Sequence, residues 1–315
     1  MRDVTVIIPT YNKAEYLDLT LAGFCIQIYK EFNIVIVDDG SSDKTRDVVD
    51  NYSDKLSINY IYQENAGRCA AKNVALNNLN TEYVIFSDDD RIPDKNFVNK
   101  HIEYLKENPN TVTIGSKYDV LSFWDDRTRL YKSQINYLYR KNSDNFGCLL
   151  NINKLISPEM LISSFDTTIE VFGLGERTDN CSDVRNKYTD NLIDFHFGWA
   201  IATTGNMALK LPKEKVLFDE RLKGWGGEDN EYAYQLSKLD YKFGFVPKAV
   251  NYHQLHQRGN NEMDQLKSNI GYLISKYPTL EMKLFNEVFS MPRGFVSFVD
   301  INEKYRSVKN KEPVV

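Results

Sequence analysis

The sequence predicts an α/β fold: a mostly parallel sheet flanked by helices, continued by helices at the carboxyl end. Three observations carry that prediction. Strand-like and helix-like stretches alternate through the first 120 residues, the rhythm of βαβ units and of a parallel sheet. The strand-like stretches are unbroken apolar runs, as required when a sheet is covered on both faces. Those runs end in polar clusters, P-T-Y at 9–11, D-D at 38–39 and D-D-D at 88–90, on what would be one edge of the sheet. In sheets of this kind ligands bind beyond the carboxyl ends of the strands.

The first strand covers residues 4–9 (V-T-V-I-I-P), and a helix follows with Leu17, Leu21, Phe24 and Ile28 on one stripe. Residues 32–37 form the second strand, which runs into D-D-G-S-S-D, a cluster of turn and N-cap residues opening a helix over 44–52. A third strand at 58–62, a helix at 67–79 and a fourth strand at 83–86 complete this half. Between 121 and 197 the pattern is less regular, with helical stretches at 127–139 and 158–164 and a polar, charge-rich segment at 175–194 that suits a mobile loop or an acceptor-side insertion. Order returns after Gly205, with a Gly-rich turn at 224–227, a helix at 228–239 and a short strand at 243–246. The last fifty residues read as helices and a tail carrying Lys304, Arg306, Lys309 and Lys311.

Composition narrows the function. The 315 residues are 42% hydrophobic and 26% charged, ordinary for a chain with a real core. A formal net charge of −5 gives no basic footprint for nucleic acid. The 20 Tyr and 17 Phe serve a core as readily as they serve sugar stacking. No stretch approaches the ~20 apolar residues of a membrane span, and the amino end lacks the apolar region of a secretory signal. Cys25, Cys69, Cys148 and Cys181 show no metal-site or disulfide spacing and read as thiols in a reducing cytoplasm. The expected location is cytoplasmic, with at most peripheral membrane contact through the basic tail.

Three groups of residues can carry chemistry. Asp88, Asp89 and Asp90 concentrate carboxylates at a strand end, a repulsion that a divalent cation relieves; an acidic surface loop is the plainer alternative. Gly224-Trp225-Gly226-Gly227-Glu228-Asp229 places two carboxylates at a helix start, which helix-dipole stabilisation alone would explain. It also places a possible general base beside an indole that can lie against a sugar face. Of the four histidines, His253 and His256 follow the acidic motif and could complete a transition-metal site with carboxylates.

Taken together and in order, these strings resemble the family 2 glycosyltransferases of the GT-A fold over residues 3–257. The matching strings are V-I-I-P-T-Y-N at 6–12, V-D-D-G-S-S-D at 37–43, E-N-A-G-R-C-A-A-K-N at 64–73, F-S-D-D-D-R-I-P at 86–93, T-G-N at 204–206 and the Glu228-Asp229 pair. Through G-W-G-G-E-D-N-E the second half is also similar to the carboxyl-terminal part of the β-1,4-galactosyltransferases. The resemblance implies a Rossmann-like GT-A domain over 1–260, with 1–120 binding nucleotide and 121–260 holding acceptor and catalytic groups, and a helical extension over 261–315. It implies that Pro9, Thr10 and Tyr11 border the nucleobase and that Asp39 accepts the imide N–H of uracil. Asn65, Gly67, Arg68, Lys72, Gly205 and Asn206 would line the sugar-nucleotide site. Lys72 stands where the family has arginine, keeping the charge without the bidentate fork, so Arg68 could take over that contact. Asp88 would face the ribose and Asp90 the metal, with the central Asp89 leaving that assignment open by one residue. Asp229 matches the catalytic base, and Glu228 would help bind acceptor or donor sugar beside Trp225, Gly226 and Gly227. His253 would ligate the metal, with His256 as the substitute.

The function so implied is inverting transfer of a single sugar from a UDP-sugar to an acceptor hydroxyl, with Mn²⁺, or else Mg²⁺, as cofactor. The acceptor could be a glycan, a lipid-linked glycan, a peptide or a small molecule, and a GDP- or dTDP-sugar is the alternative donor. A nucleotidyltransferase would need a Gly-rich phosphate loop after the first strand, and a dehydrogenase G-x-G-x-x-G; the chain has P-T-Y-N-K there. A decayed, nucleotide-sugar-binding scaffold would share the fold but has no need of a base and metal ligands together. A processive polymerase would be expected to show Q-x-x-R-W, and Q-L-H-Q-R-G at 254–259 does not match it.

Overall fold

The computed structural model describes residues 2–124, 128, 130, 132–143, 147, 152–176, 181–189, 192–256, 261–291 and 294–310. The chain begins with β1 (Val4–Thr10), α1 (Ala14–Cys25), β2 (Phe32–Asp38), α2 (Thr45–Asp50), β3 (Ile58–Tyr62), α3 (Arg68–Asn77) and β4 (Tyr83–Phe86). The parallel sheet of the alternating half forms as its pattern predicts, in the order β3-β2-β1-β4. Successive strand residues point to opposite faces, and both faces are covered. Ile7, Val35, Val37, Val84 and Phe86 enter one core, and Val6, Ile8, Ile34, Ile36 and Ile85 enter the other. That division is why these strands are apolar throughout.

The chain then continues through β5 (Arg91–Pro93), α4 (Phe97–Glu107), β6 (Thr111–Val120), α5 (Lys132–Lys141), α6 (Pro158–Phe172), β7 (Gly173–Glu176), α7 (Ser182–Tyr188), α8 (Gly198–Ile201) and β8 (Met207–Lys210). It closes with α9 (Glu228–Lys238), β9 (Lys242–Gln254), α10 (Glu262–Lys276), α11 (Leu280–Ser290) and α12 (Phe298–Lys309). The sheet is extended beyond β4 in the order β8-β6-β9-β5, with β7 on β6. Here β8 pairs antiparallel to both β4 and β6, β6 and β9 are parallel, and β5 runs antiparallel to β9. A parallel half thus merges with a mixed half in one α/β sheet.

Several boundaries differ from the sequence reading. Ile28 lies beyond α1 and is 59% exposed, because the chain leaves the helix and the Ile28 amide donates to Lys95 O (2.9 Å). The short strand expected at 243–246 is the start of the long β9. A register shift between Gly115 and Ser116 of β6 absorbs residues 247–249, and pairing resumes at Val250. The segment expected to be a mobile loop contains β7 and α7, the latter anchored by the fully buried Val184. The helix at 158 continues to Phe172 across non-helical geometry at Ser164. Arg127, Cys148, Lys311 and residues 257–259 of the late glutamine string lie outside the described residues.

The carboxyl-terminal helices do not build a core of their own. Leu266, Ile270, Leu273, Phe285 and Phe298 belong to the same apolar cluster as Trp199, Tyr232 and Tyr234 of the preceding half. None of the described helices is long and apolar enough to cross a membrane.

Candidate active site

Parallel pairing brings the ends of β1, β2 and β4 side by side, so their polar clusters become neighbours. At the end of β2, buried Asp39 organises the following loop. Its Oδ1 accepts from Gln63 Nε2 (2.6 Å) and the Ala66 amide (2.9 Å), and its Oδ2 accepts from the Gly67 amide (2.9 Å). Gly40 adopts a positive φ of 88°, and a Cβ there would lie 2.9 Å from the Asn65 amide nitrogen, which fixes how closely the loops approach. Tyr11 stands half exposed at the end of β1, beside partly buried Pro9.

The three aspartates diverge. Asp88 turns towards Arg91 Nε (3.4 Å) and over Gly205, where a Cβ would sit 2.5 Å from its Oδ2. Asp89 accepts from the Thr10 hydroxyl (2.9 Å), and burial pushes its carboxyl up to about 6. Asp90 is buried; its Oδ2 lies 2.5 Å from Lys13 Nζ, 2.9 Å from His256 Nε2 and 3.9 Å from His253 Nε2. Burial would raise its carboxyl, but Lys13 and the two histidines outweigh that and hold it well below the usual range. Burial would likewise lower the Lys13 ammonium, and Asp89 and Asp90 overcome this to hold it charged. The other face of His253 meets Asp119, with Nδ1 3.4 Å from Oδ1.

One donor atom each from Asp90, His253 and His256 lies within 4.8 Å of the others. Asp90 Oδ1 is buried with no hydrogen-bond partner among the described residues. One carboxylate with two imidazoles suits Mn²⁺ better than Mg²⁺, which prefers an all-oxygen shell. These residues are compatible with a divalent ion, and both candidate histidines lie beside Asp90, where Lys13 Nζ also stands 3.2 Å from His256 Nε2.

The second cluster is built on the start of α9. Gly224, Gly226 and Gly227 all take positive φ (73°, 89° and 92°), a backbone path that presents Glu228 and Asp229 together at the helix N-terminus. Asp229 Oδ1 accepts from Lys72 Nζ (2.7 Å) and the Thr204 hydroxyl (2.7 Å), and its Oδ2 accepts from the Thr204 amide (3.0 Å). Burial works against the Asp229 charge, but Lys72 and Thr204 prevail and lower its carboxyl. Glu228 is shifted the other way, raised by burial and by Asp229, although Arg68 approaches at 3.4 Å. Lys72, fully enclosed, is kept charged above its ordinary value by Asp229 and Glu228 against the pull of burial.

The Thr204-Gly205-Asn206 strip joins the two clusters: Thr204 holds Asp229, and Gly205 lies beneath Asp88 and Arg91. Asn206 corrects the expectation that it lines the donor site. It is fully buried, donating to Ser116 O (2.9 Å) and Ala249 O (3.0 Å) and pairing with His101 Nε2 (2.9 Å), so it braces the strip from the core side. Trp225 is partly buried against the main core. Sequence reasoning missed Lys13, Gln63 and Thr204. Each sits within a quoted string or beside one, but only tertiary contact gives it a partner.

Residues 5–157 match the family model described as Glycosyl transferase family 2. A chondroitin synthase of Escherichia coli is 30% identical over 83% of this chain, and the chain spans only 36% of that protein's length. An uncharacterized glycosyltransferase of Bacillus subtilis, YfnE, is 26% identical over 91% of this chain and 74% of its own length. Among solved structures, S. aureus TarS 1-349 in complex with UDP-GlcNAc superposes with a TM-score of 0.57 at 17% identity, covering 93% of this chain and 74% of that one. The mannosyltransferase PcManGT from Pyrobaculum calidifontis, in complex with GDP-Man and Mn2+, also gives 0.57, at 15% identity over 99% of this chain and 76% of its own. At these identities the structural likeness is one of fold. The family match ends at residue 157, before the Gly-rich turn.

Proposed function

We propose that this chain, which has the GT-A fold and whose residues 5–157 match the family 2 model, is a glycosyltransferase that moves a single sugar, with inversion, from a UDP-sugar to an acceptor hydroxyl. The observation that carries the proposal is the pair of clusters joined by the Thr204–Gly205 strip. One presents metal-ligand chemistry and the other an oriented carboxylate, with Asp88 between them. In this reading Asp229 takes the acceptor proton as attack proceeds, its geometry set by Thr204 and Lys72. Glu228 and Trp225 contact the sugars, Arg68 the uracil or diphosphate, while Asp39, Thr10, Tyr11 and Pro9 bound the base and Asn65 and Gly67 the nucleotide loop. Asp90, His253 and His256 would hold Mn²⁺, which supplies Lewis-acid stabilisation of charge on the leaving diphosphate. The likeness of the Gly-rich half to β-1,4-galactosyltransferases is part of this proposal and rests on the string alone.

The donor choice is tested by thermal shift. A ligand bound only by the native state stabilises it by RT ln(1 + [L]/Kd), about 2.7 kcal/mol at a hundredfold excess over Kd. UDP with Mn²⁺ is expected to raise the melting temperature clearly, UDP with a chelator much less, and GDP, ADP or dTDP with Mn²⁺ less than UDP. A larger shift with GDP would move the donor to a GDP-sugar; no shift with any nucleotide would support a decayed scaffold.

Metal assignment has its own test. Asp90→Ala, His253→Ala and His256→Ala are each expected to weaken Mn²⁺ binding at least tenfold, because each removes one of three close ligands. Titrating Mn²⁺ by electron paramagnetic resonance measures this without substrate. Full affinity in both histidine variants would leave a carboxylate-only site.

A further inference from the structure

We propose that helix α10, outside both the family match and the catalytic half, is a working part of the transfer site. Asn269 and Gln265 on it act as positioning residues that clamp the Gly224–Gly227 turn. The proposal rests on the reading of Glu228, Asp229 and Trp225 as the groups that meet acceptor and donor sugar.

A turn with three glycines at positive φ has only the Trp225 side chain of its own to hold it and loses much chain entropy on ordering. The hydrogen bonds that order it come from elsewhere. Asn269 Nδ2 donates to Lys223 O (3.0 Å) and Gly226 O (2.8 Å), bridging two carbonyls of the turn. Gln265 Oε1 accepts from the Trp225 amide (2.8 Å). The two residues stand four apart and so share one helix face, with Leu266 between them. A Cβ on Gly226 would lie 2.8 Å from Leu266 Cδ1, and one on Gly224 would lie 2.6 Å from Gln265 Cδ. Contact this close leaves the turn one path over the helix.

The helix is itself tied down at its far end. Lys276 Nζ reaches both Asp219 Oδ2 (2.7 Å) and Glu231 Oε1 (2.6 Å), the latter on a fully buried residue of α9. Tyr277 OH donates to the same Glu231 oxygen (2.6 Å), and Tyr272 OH donates to Asp219 Oδ2 (2.7 Å). The turn and the helix it opens are therefore gripped from the same element, one at each end. Movement of α10 would displace Trp225 and the Glu228–Asp229 pair together.

Chemistry distinguishes this clamp from mere packing. Asn269 acts as a donor to two carbonyls, so Asn269→Asp keeps the shape and sets a carboxylate against them. Gln265 acts as an acceptor, so Gln265→Glu keeps the contact and Gln265→Ala loses it. Hydrogen exchange of the peptide covering 222–230 is the primary readout, since it needs no substrate. Asn269→Asp is expected to speed exchange there about tenfold or more, Gln265→Ala to do so more weakly, and Gln265→Glu to keep protection. For transfer from a UDP-sugar, Asn269→Asp should raise the acceptor KM more than it changes the nucleotide-induced melting shift. Should Asn269→Asp fail to fold, the Gln265 pair carries the same comparison. Wild-type exchange in both Asn269→Asp and Gln265→Ala overturns the clamp. Faster exchange in variants of a chain that transfers from no sugar nucleotide supports the clamp and overturns the transferase reading instead.

Discussion

Asp229→Asn is expected to lower turnover by about a hundredfold or more while leaving the melting shift caused by UDP with Mn²⁺ close to that of the wild type. The substitution keeps the shape of the side chain and one oxygen to accept from the Thr204 amide, and it removes the basicity. Nucleotide binding is assigned to other residues, so its readout stays apart from the proton transfer. The rival base is next door. Glu228 is the carboxyl that burial and Asp229 raise, whereas Asp229 is the one Lys72 lowers, so acidity alone would favour Glu228. Orientation argues for Asp229, which is fixed by Thr204 and Lys72 within 3.0 Å. Near-normal turnover in Asp229→Asn beside an inactive Glu228→Gln would give the role to Glu228.

Lys72→Met should cost about 3 kcal/mol of stability at neutral pH, seen as a melting temperature lower by about 5 °C. Lys72 is the buried cation facing two carboxylates, and methionine fills its volume without its charge. The pH dependence follows from the two directions of shift. Asp229 is lowered by its partner, so its contribution is present above the ordinary Asp value of about 3.9 and is lost as pH falls. Glu228 is raised, so it favours the fold when protonated and loses that contribution as pH rises, a loss that the Lys72 charge limits. The deficit of Lys72→Met should therefore be largest near pH 7 and shrink only once pH falls below the ordinary Asp value, to about pH 3. Denaturant unfolding at the two pH values measures it; an equal deficit at both would mean that volume, not charge, is what Lys72 provides.

Much of this architecture is legible in the residues alone because its causes are local. Val4–Thr10, Phe32–Asp38, Ile58–Tyr62 and Tyr83–Phe86 announce themselves as strands, since a sheet covered on both faces demands continuous apolar runs. Their alternation with helices fixes parallel pairing, and that pairing aligns Thr10, Asp39 and the aspartate triplet. The Gly-rich string before Glu228 is legible because few backbones other than a left-handed turn require such glycines.

What the chain alone did not reveal depends on contacts distant in sequence. Lys13 meets Asp90 across 77 residues, and Lys72 meets Asp229 across 157. His256 joins His253 on Asp90 because β9 continues beyond the short strand read at 243–246. Asn206 belongs to a matching motif yet turns into the core, a choice set by His101, Ser116 and Ala249. The carboxyl-terminal helices look like an extension, yet Asn269 holds the turn beside the candidate base, 43 residues back in the chain. Periodicity reports which face of an element is buried; the partner on that face is selected only when the whole chain packs, because a charge or amide out of water must find its complement in space rather than in sequence.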